Sequence, residues 1–131
     1  MSKIETVVFD LGGVLIDWNP LYLYNKIFGS REKAQSFINE ICTLDWNEQQ
    51  DGGRTIKEGT ELLIAQHPQY SNEIKAYYDR WDEMLSGPIQ GSVEILNQLH
   101  QSQTYRLYAL TNWSAETWPT ALELFDFLHH F

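Results

Sequence analysis

The sequence predicts an α/β fold in which a parallel sheet, incomplete within this chain, is interrupted by an all-helical insertion. Two short runs rich in β-branched and aromatic residues, 6–9 and 105–111, are the candidate strands. Between them, residues 20–86 have helical periodicity throughout. Because strands that are joined through a helix are normally parallel, with a right-handed crossover, both strands should end at the same edge of one sheet.

The first candidate strand ends in an acidic residue. Residues 7–9 are Val-Val-Phe, Asp10 follows them, and Gly12 and Gly13 open the next turn. A compact apolar run of this kind indicates a strand that is buried on both faces. Asp10 is therefore expected at the carboxyl end of a buried strand.

The second candidate strand leads into a polar turn. Thr111 ends the strand, Asn112 and Ser114 follow, and a helical pattern begins near Ser114, which we expect to cap that helix. Ligands of open α/β sheets bind beyond the carboxyl ends of the strands. The sequence thus predicts that Asp10 and Thr111 lie close together at a ligand-binding edge.

Helix-start signals divide the insertion into several helices. Ser30 precedes one apolar pattern, and Thr55 with Glu58 has the spacing of a capping box ahead of another. A stripe of large apolar residues at helical spacing is expected to be core rather than a ligand site. The members of this stripe are Ile74, Tyr77, Tyr78, Trp81 and Leu85.

A Gly-Pro pair at residues 87–88 marks the end of the helical insertion. An amphipathic helix over residues 91–99 then leads into the second strand. Residues 1–17 and 88–131 are therefore assigned to the sheet-containing core, which is incomplete, and residues 18–87 to a helical cap.

Composition and charge narrow the class of protein. Eighteen acidic and nine basic residues give a net charge of -9, which disfavours nucleic acid and anionic membranes as partners, because phosphate backbones require clustered Lys and Arg. Cys42 is the only cysteine, so an internal disulfide and a thiolate metal cluster are excluded. The chain start lacks the features of a signal peptide, and no apolar run approaches the roughly 18 residues of a membrane span. We expect a soluble, cytoplasmic protein.

Asp10, Thr111 and Asn112 are the candidate chemical groups. A carboxylate at a rigid strand end beside a glycine pair can attack phosphorus or carbon and form a covalent aspartyl intermediate. Thr111 and Asn112 offer a hydroxyl, an amide and backbone donors at the start of a helix, where anions are favoured. Simpler roles stay open at this point, with Asp10 as a turn former, Thr111 as a strand terminus and Ser114 as an ordinary N-cap.

Two motifs carry a resemblance to a known family. Residues 7–17, VVFDLGGVLID, resemble the first motif of the haloacid dehalogenase superfamily. Residues 110–114, LTNWS, resemble the second motif of that superfamily. The separation of the two motifs is typical of members with a helical cap inserted directly after the first.

The resemblance implies a Rossmann-like core with a helical cap and a hydrolase active site. Asp10 would be the nucleophile and a Mg²⁺ ligand, and the Gly12 carbonyl would also contact the metal. Thr111 would bind the transferred group, and Asn112 would assist through its amide. The implied reaction is Mg²⁺-dependent hydrolysis of a small phosphate ester through an aspartyl-phosphate.

Gly12 departs from the family's pattern. Most phosphatase members carry a second Asp there as general acid and base, whereas dehalogenase members carry a Tyr and need no metal. Phosphatase-like members with Gly at this position occur, and residues 13–17 resemble them more closely. We therefore prefer the phosphatase and keep two alternatives, a 2-haloacid dehalogenase and a non-catalytic binding protein with the same fold. Asp17, the nearest remaining carboxylate, is expected to shape the turn into the cap rather than donate a proton.

The family's third and fourth motifs, a Lys or Arg and an acidic pair that binds Mg²⁺, have no counterpart after the second. The last lysine is Lys75 and the last arginine is Arg106. Two strands alone make a poor sheet, and Phe125, Leu128 and Phe131 are expected to lack a covering element. We therefore expect a fragment of a longer parent that is inactive, or nearly so, by itself.

Some further side chains are secondary candidates. Asn47, Gln49 and Arg54 are expected on a Gly-rich loop of the cap, from which they could reach a substrate. The tryptophans near the two motifs and in the cap are expected to pack, and the histidines to lie on the surface without forming a metal site. These residues are Trp18, Trp46, Trp113 and Trp118, and His67, His100, His129 and His130.

Overall fold

Four short strands and seven α-helices form a mixed α/β structure in the computed structural model, which describes residues 3–131. The strands are Thr6–Asp10 (β1), Ile16–Trp18 (β2), Leu85–Pro88 (β3) and Arg106–Leu110 (β4). The helices are Pro20–Phe28 (α1), Arg31–Glu40 (α2), Leu44–Asp51 (α3), Ile56–Gln66 (α4), Ser71–Asp79 (α5), Gln90–Ser102 (α6) and Trp118–Leu124 (α7). Short 3₁₀ helices span Pro68–Tyr70, Trp81–Met84 and Asp126–His130.

Strands β1 and β4 pair in parallel, as the sequence predicts. Their register places Thr6 opposite Arg106 and Asp10 opposite Leu110. The turns that follow Asp10 and Leu110 therefore leave the sheet at the same edge, and this part of the prediction is confirmed.

A second, antiparallel sheet joins β2 to β3, with Asp17 opposite Gly87. Sequence reasoning missed both strands, because β2 has only three residues and β3 contains the Gly-Pro pair that indicates a break rather than a strand. The Asp17 carboxylate accepts hydrogen bonds from the Tyr22 hydroxyl at 2.6 Å and the Ser86 hydroxyl at 2.7 Å. These bonds tie together the two chain segments that enter and leave the helical region.

The region between β2 and β3 is helical, and its predicted caps are confirmed. The Ser30 side chain accepts a hydrogen bond from the Lys33 amide at the start of α2, and the Thr55 side chain accepts one from the Glu58 amide at the start of α4. These bonds satisfy amides that have no partner inside the helix. The chain therefore enters each helix at the residue that the local sequence indicates.

Large apolar and aromatic side chains from α1, α2, α3 and α5 form the core of the helical region. Within the predicted stripe, Ile74, Tyr77 and Trp81 are buried, so their assignment to packing is confirmed. The Trp46 indole packs edge-to-face on Tyr77 with ring centroids 5.0 Å apart, a favourable geometry for aromatic pairs. The fully covered side chains of this core include Leu23, Tyr24, Ala34, Ile74 and Tyr77.

The expectation that β1 is buried on both faces is wrong for the described residues. Along β1 and β4 the burial alternates, and Val7, Phe9 and Leu107 face the core. On the other face Val8 is 57% exposed and Tyr108 is 53% exposed. Only one face of this sheet is packed by the described elements, and an apolar run cannot by itself reveal which face that is.

The last apolar side chains, which were expected to lack a covering element, are instead packed against earlier elements of the chain. Leu128 is buried, and the Phe131 ring lies 6.1 Å from the Phe9 ring on the packed face of the sheet. Helix α7 ends at Leu124, and the 3₁₀ helix Asp126–His130 then packs against α6. Among the residues described, no helix combines the length and apolarity that a membrane crossing needs.

Candidate functional site

Asp10, Gly12, Thr111 and Asn112 lie around one cleft at the carboxyl edge of the β1–β4 sheet. The cleft has a volume of about 340 Å³, within the range of small-molecule sites. Helix α3 forms the opposite wall, so the cleft lies between the sheet edge and the helical region. The lining residues are Asp10, Gly12, Gly13, Trp18, Leu44, Asn47, Glu48, Asp51, Thr111, Asn112 and Trp113.

The Asp10 carboxylate projects from the last position of β1. Its Oδ1 accepts a hydrogen bond from the Leu11 amide at 2.8 Å. The turn that follows is tight, since the Leu11 carbonyl accepts from the Val14, Leu15 and Ile16 amides at 2.9–3.2 Å. Asp10 is exposed, so its second oxygen can reach a ligand in the cleft.

Gly13 is needed for this turn. Its φ of 78° lies in the left-handed region, which a residue with a Cβ adopts only at a cost. The Gly13 amide donates to the Ile16 carbonyl at 2.9 Å and closes the turn. The carboxylate of Asp10 is thus held by a strand on one side and a closed turn on the other.

Thr111 and Asn112 present polar groups on the neighbouring side of the cleft. The Thr111 Oγ1 accepts a hydrogen bond from the Trp113 amide at 3.0 Å, which leaves the hydroxyl proton free to donate. Asn112 is exposed, and its amide lines the cleft. Both residues are therefore placed to donate to an anion beside Asp10.

The predicted helix start at Ser114 is wrong. Ser114 is buried in a tight turn, where its carbonyl accepts from the Thr117 and Trp118 amides at 3.1 and 3.2 Å. Helix α7 begins at Trp118, one turn later than expected, with Pro119 in its first turn, where proline is favoured. Thr111 therefore lies on a loop, and the expected contribution of a helix N-terminus beside it is absent from the described structure.

Trp113 bounds the space beside Gly12. A Cβ built on Gly12 would lie 3.4 Å from the Trp113 Nε1, in contact with the indole. Trp113 is itself held edge-to-face against Trp81, with ring centroids 5.3 Å apart. A side chain at position 12 that pointed toward this ring would meet it, which gives a physical reason for glycine at this position.

The oxygen atoms of this edge suit a hard cation. Mg²⁺ is commonly held by one or two protein oxygens together with waters and substrate phosphate. Asp10 and Gly12 both line the cleft, and a carboxylate and a backbone carbonyl are oxygen ligands of this kind. Within residues 3–131, no group of three or more His, Cys, Asp or Glu side chains is arranged to hold a metal by itself.

Asp51, which sequence reasoning missed, lines the same cleft from the opposite wall. It is the last residue of α3, and its Oδ2 accepts a hydrogen bond from the Asn47 Nδ2 at 3.2 Å. Burial, and to a lesser extent the Glu48 charge, raise the pKa of Asp51 to about 6, while a hydrogen bond from the Ser114 backbone opposes that shift. An acidic residue in the last turn of a helix is electrostatically unfavourable. This unusual position is the feature of the sequence that could have identified Asp51 as a candidate.

A chain of hydrogen bonds holds Asn47 in place behind Asp51. The Tyr78 hydroxyl donates to the Asn47 Oδ1 at 2.8 Å, and the Gln50 Nε2 donates to the Tyr78 oxygen at 3.0 Å. The Arg54 Nε donates in turn to the Gln50 Oε1 at 2.7 Å. Asn47 and Gln50 are buried, so this network is a fixed part of the cleft wall.

Asn47 and Gln49 lie on helix α3, so the expectation that they belong to a loop is wrong. By position, the secondary candidates divide into two groups. Asn47, Trp18 and Trp113 line the cleft. Gln49 lies outside it, and Arg54 lines a neighbouring cavity of about 620 Å³ that also contacts Thr111. Sequence position alone could not separate these groups, because the direction of each side chain depends on tertiary contacts.

Asp17 lies outside the cleft that Asp10 and Thr111 line. The hydrogen bonds from Tyr22 and Ser86 lower the pKa of Asp17, so the group remains a carboxylate. This observation agrees with the expectation that Asp17 shapes the turn into the helical region.

No protein-family model, curated protein or solved structure matches the chain.

Proposed function

We propose that this chain carries the nucleophile of a Mg²⁺-dependent phosphatase site for small phosphate esters, of the haloacid dehalogenase type. In this proposal residues 1–17 and 88–131 form part of a Rossmann-like core, and residues 18–87 form its helical cap. The observation that carries the proposal is the register of the parallel pair, which puts Asp10 and Thr111 on one cleft.

The side chains at this edge have the chemistry that the reaction needs. Asp10 attacks phosphorus, the bond to the leaving oxygen breaks, and an aspartyl-phosphate forms that water then hydrolyses. The Thr111 hydroxyl and the Asn112 amide donate hydrogen bonds to the phosphoryl oxygens as negative charge develops there. The Asp10 carboxylate and the Gly12 carbonyl would hold Mg²⁺, which would neutralise negative charge on the phosphoryl group.

The cleft also supports a limit on substrate size. Its volume of about 340 Å³ lies at the small end of ligand sites. Trp18, Leu44 and Trp113 give it apolar walls beside the polar edge. A phosphate ester with a small, partly apolar leaving group fits these dimensions and surfaces.

Gly12 favours a second candidate function, dehalogenation of a small 2-haloacid. In that reaction Asp10 attacks carbon and halide leaves without a proton, so no acid is required at position 12. The two functions differ in their metal requirement. Halide release from a chloroacid in the presence of chelator would favour the dehalogenase, whereas a chelator-sensitive reaction with phosphate analogues favours the phosphatase.

Fluoroberyllate, which mimics an aspartyl-phosphate, tests the proposed nucleophile. Binding is measured rather than turnover, because no Lys or Arg follows Arg106 within residues 1–131. In ¹⁹F NMR with Mg²⁺, the wild-type chain should give a bound resonance that chelator removes and that Asp10→Asn lacks. The control is Asp79→Asn, an exposed Asp at the end of α5 and outside the cleft, which should keep the resonance. A bound resonance in Asp10→Asn would refute the assignment.

A further inference from the structure

The proposed reaction needs a proton donor that position 12 does not provide. An alkoxide is a poor leaving group, and an acid placed beside the leaving oxygen is the usual remedy. Gly12 has no side chain, and the Trp113 indole borders the space that one would enter. The donor must therefore come from another wall of the cleft.

Two acidic side chains on α3 line the cleft opposite Asp10, namely Glu48 and Asp51. Glu48 is exposed, and no described residue donates a hydrogen bond to its side chain, so nothing fixes its direction. Asp51 is half-buried and is held by Asn47, which Tyr78 holds in turn. Resting on the phosphatase function proposed above, we propose that Asp51 is the general acid and base of the reaction, acting from the helical wall across the cleft from Asp10.

The protonation state of Asp51 suits this role. Its pKa of about 6 lies close to neutral pH, where a carboxyl group can both donate and recover a proton. The charged and titratable groups around it are Glu48 on its own helix, Tyr77 and Tyr78 on α5, Arg54 behind Gln50, Glu116 on the neighbouring cavity and Asp10 across the cleft. Glu48 favours the protonated form of Asp51, and the Ser114 backbone favours the ionised form.

Asp51 alone can donate and then recover the one proton that each catalytic cycle requires. As Asp10 attacks phosphorus and the bond to the leaving oxygen breaks, the Asp51 carboxyl gives its proton to that oxygen and the alcohol departs. The Asp51 carboxylate then takes a proton from the water that attacks the aspartyl-phosphate. The bond between phosphorus and the Asp10 oxygen breaks, which releases inorganic phosphate, restores the Asp10 carboxylate and leaves Asp51 protonated.

A comparison of leaving groups tests this role. The rates are measured on the full-length gene product that includes residues 1–131. Asp51→Asn preserves shape and can still accept from Asn47. It should lower kcat/KM for an alkyl phosphate such as butyl phosphate by about 10²-fold or more, the usual contribution of a general acid. For 2,4-dinitrophenyl phosphate, whose leaving group needs no proton, the loss should stay below about tenfold. Asp45→Asn is the matched control, because Asp45 is an exposed acidic residue in the first turn of α3 and lies outside the cleft, and it should change neither rate by more than about threefold.

The outcomes separate the two proposals. An equal loss on both esters, or no loss on the alkyl ester, while activity still depends on Asp10, would overturn the role of Asp51 alone. Turnover that persists in Asp10→Asn, or its absence from the wild-type protein with both esters, would overturn the phosphatase function and the Asp51 role with it. Circular dichroism of Asp51→Asn should match the wild type, so that a loss confined to the alkyl ester reports on proton transfer.

Discussion

The Tyr78 hydroxyl on α5 donates a hydrogen bond to the Asn47 Oδ1 on α3 at 2.8 Å, and this bond fixes the wall of the cleft. The same hydroxyl oxygen accepts from the buried Gln50 side chain at 3.0 Å. One phenol thus satisfies two buried amide side chains. Its loss would leave a buried acceptor and a buried donor without this partner, which is costly in a protein interior.

We therefore expect Tyr78→Phe to lower the free energy of unfolding by about 1–3 kcal/mol. Urea denaturation followed by circular dichroism measures this change. Tyr70→Phe is a suitable control, because no described residue makes a side-chain hydrogen bond to Tyr70, and it should lie within about 0.5 kcal/mol of the wild type. Equal effects of the two substitutions would show that the network contributes nothing beyond packing.

Asp51→Asn should make the protein more stable above pH 6. The pKa of Asp51 is raised to about 6 from 3.8, mainly by burial, so the folded state prefers the neutral form. The contribution of Asp51 to the free energy of unfolding is fully present below the pKa of the unfolded state. It is lost as the pH rises through the pKa of the folded state. Because the group is partly exposed, we discount the effect to a gain of about 1 kcal/mol for Asn at pH 8.

The same substitution should have almost no effect at pH 3, where the carboxyl is protonated in both states. Urea midpoints at pH 3 and pH 8 measure the difference. A destabilised Asp51→Asn protein at pH 8 would mean that the ionised carboxylate is well satisfied, contrary to its environment.

Gly12→Asp should destabilise the fold, whereas Gly12→Ala should be tolerated. A Cβ at this position touches the Trp113 indole at 3.4 Å, and the carboxylate of Asp would have to displace the ring or turn away from it. Because Gly12 is exposed, the ring and the new side chain can partly adjust, and we expect a cost of about 1 kcal/mol, at the low end for crowding. Thermal unfolding and tryptophan fluorescence report stability and ring position. An Asp variant with wild-type stability and unchanged fluorescence would show that Trp113 does not exclude a side chain here.

His130 should make the fold sensitive to acid. Burial lowers the pKa of His130, and the charges of His100 and His129 lower it further. The rings of His130 and His100 are stacked, with centroids 3.9 Å apart. When the pKa of a histidine is lower in the folded state than in the unfolded state, its contribution to the free energy of unfolding is fully present above the pKa of the unfolded state. That contribution falls as the pH drops through this pKa. His130→Phe keeps an aromatic ring without a titrating group, so its melting temperature should fall less than that of the wild type between pH 7 and pH 5. Parallel pH profiles would contradict this account.

The features that the sequence predicts are those set by nearby residues. The caps at Ser30 and Thr55 depend on hydrogen bonds that span three residues. The parallel pairing of β1 with β4 follows from a general rule for strands that are joined through helices. Both features could therefore be predicted without tertiary information.

The features that escaped prediction depend on distant partners. Strands β2 and β3 are separated by more than sixty residues and are too short for their pattern to identify them. Asp51 becomes a candidate acid only because folding buries it beside Asn47, whose partner Tyr78 is 31 residues away. The helix was expected to begin near Ser114 but begins at Trp118. The Ser114 carbonyl closes a turn, and capping rules do not distinguish such a turn from a helix start.

If Asp10 and Thr111 bind one anion between them, as we claim, backbone amide NMR should detect the binding at both turns. When fluoroberyllate and Mg²⁺ are added to the wild-type chain, the amide signals of Leu11 and Gly12 and those of Thr111 and Asn112 should shift together, with one saturation curve. In Asp10→Asn neither set should move. Shifts confined to one of the two turns, or with different saturation curves for the two, would contradict the claim.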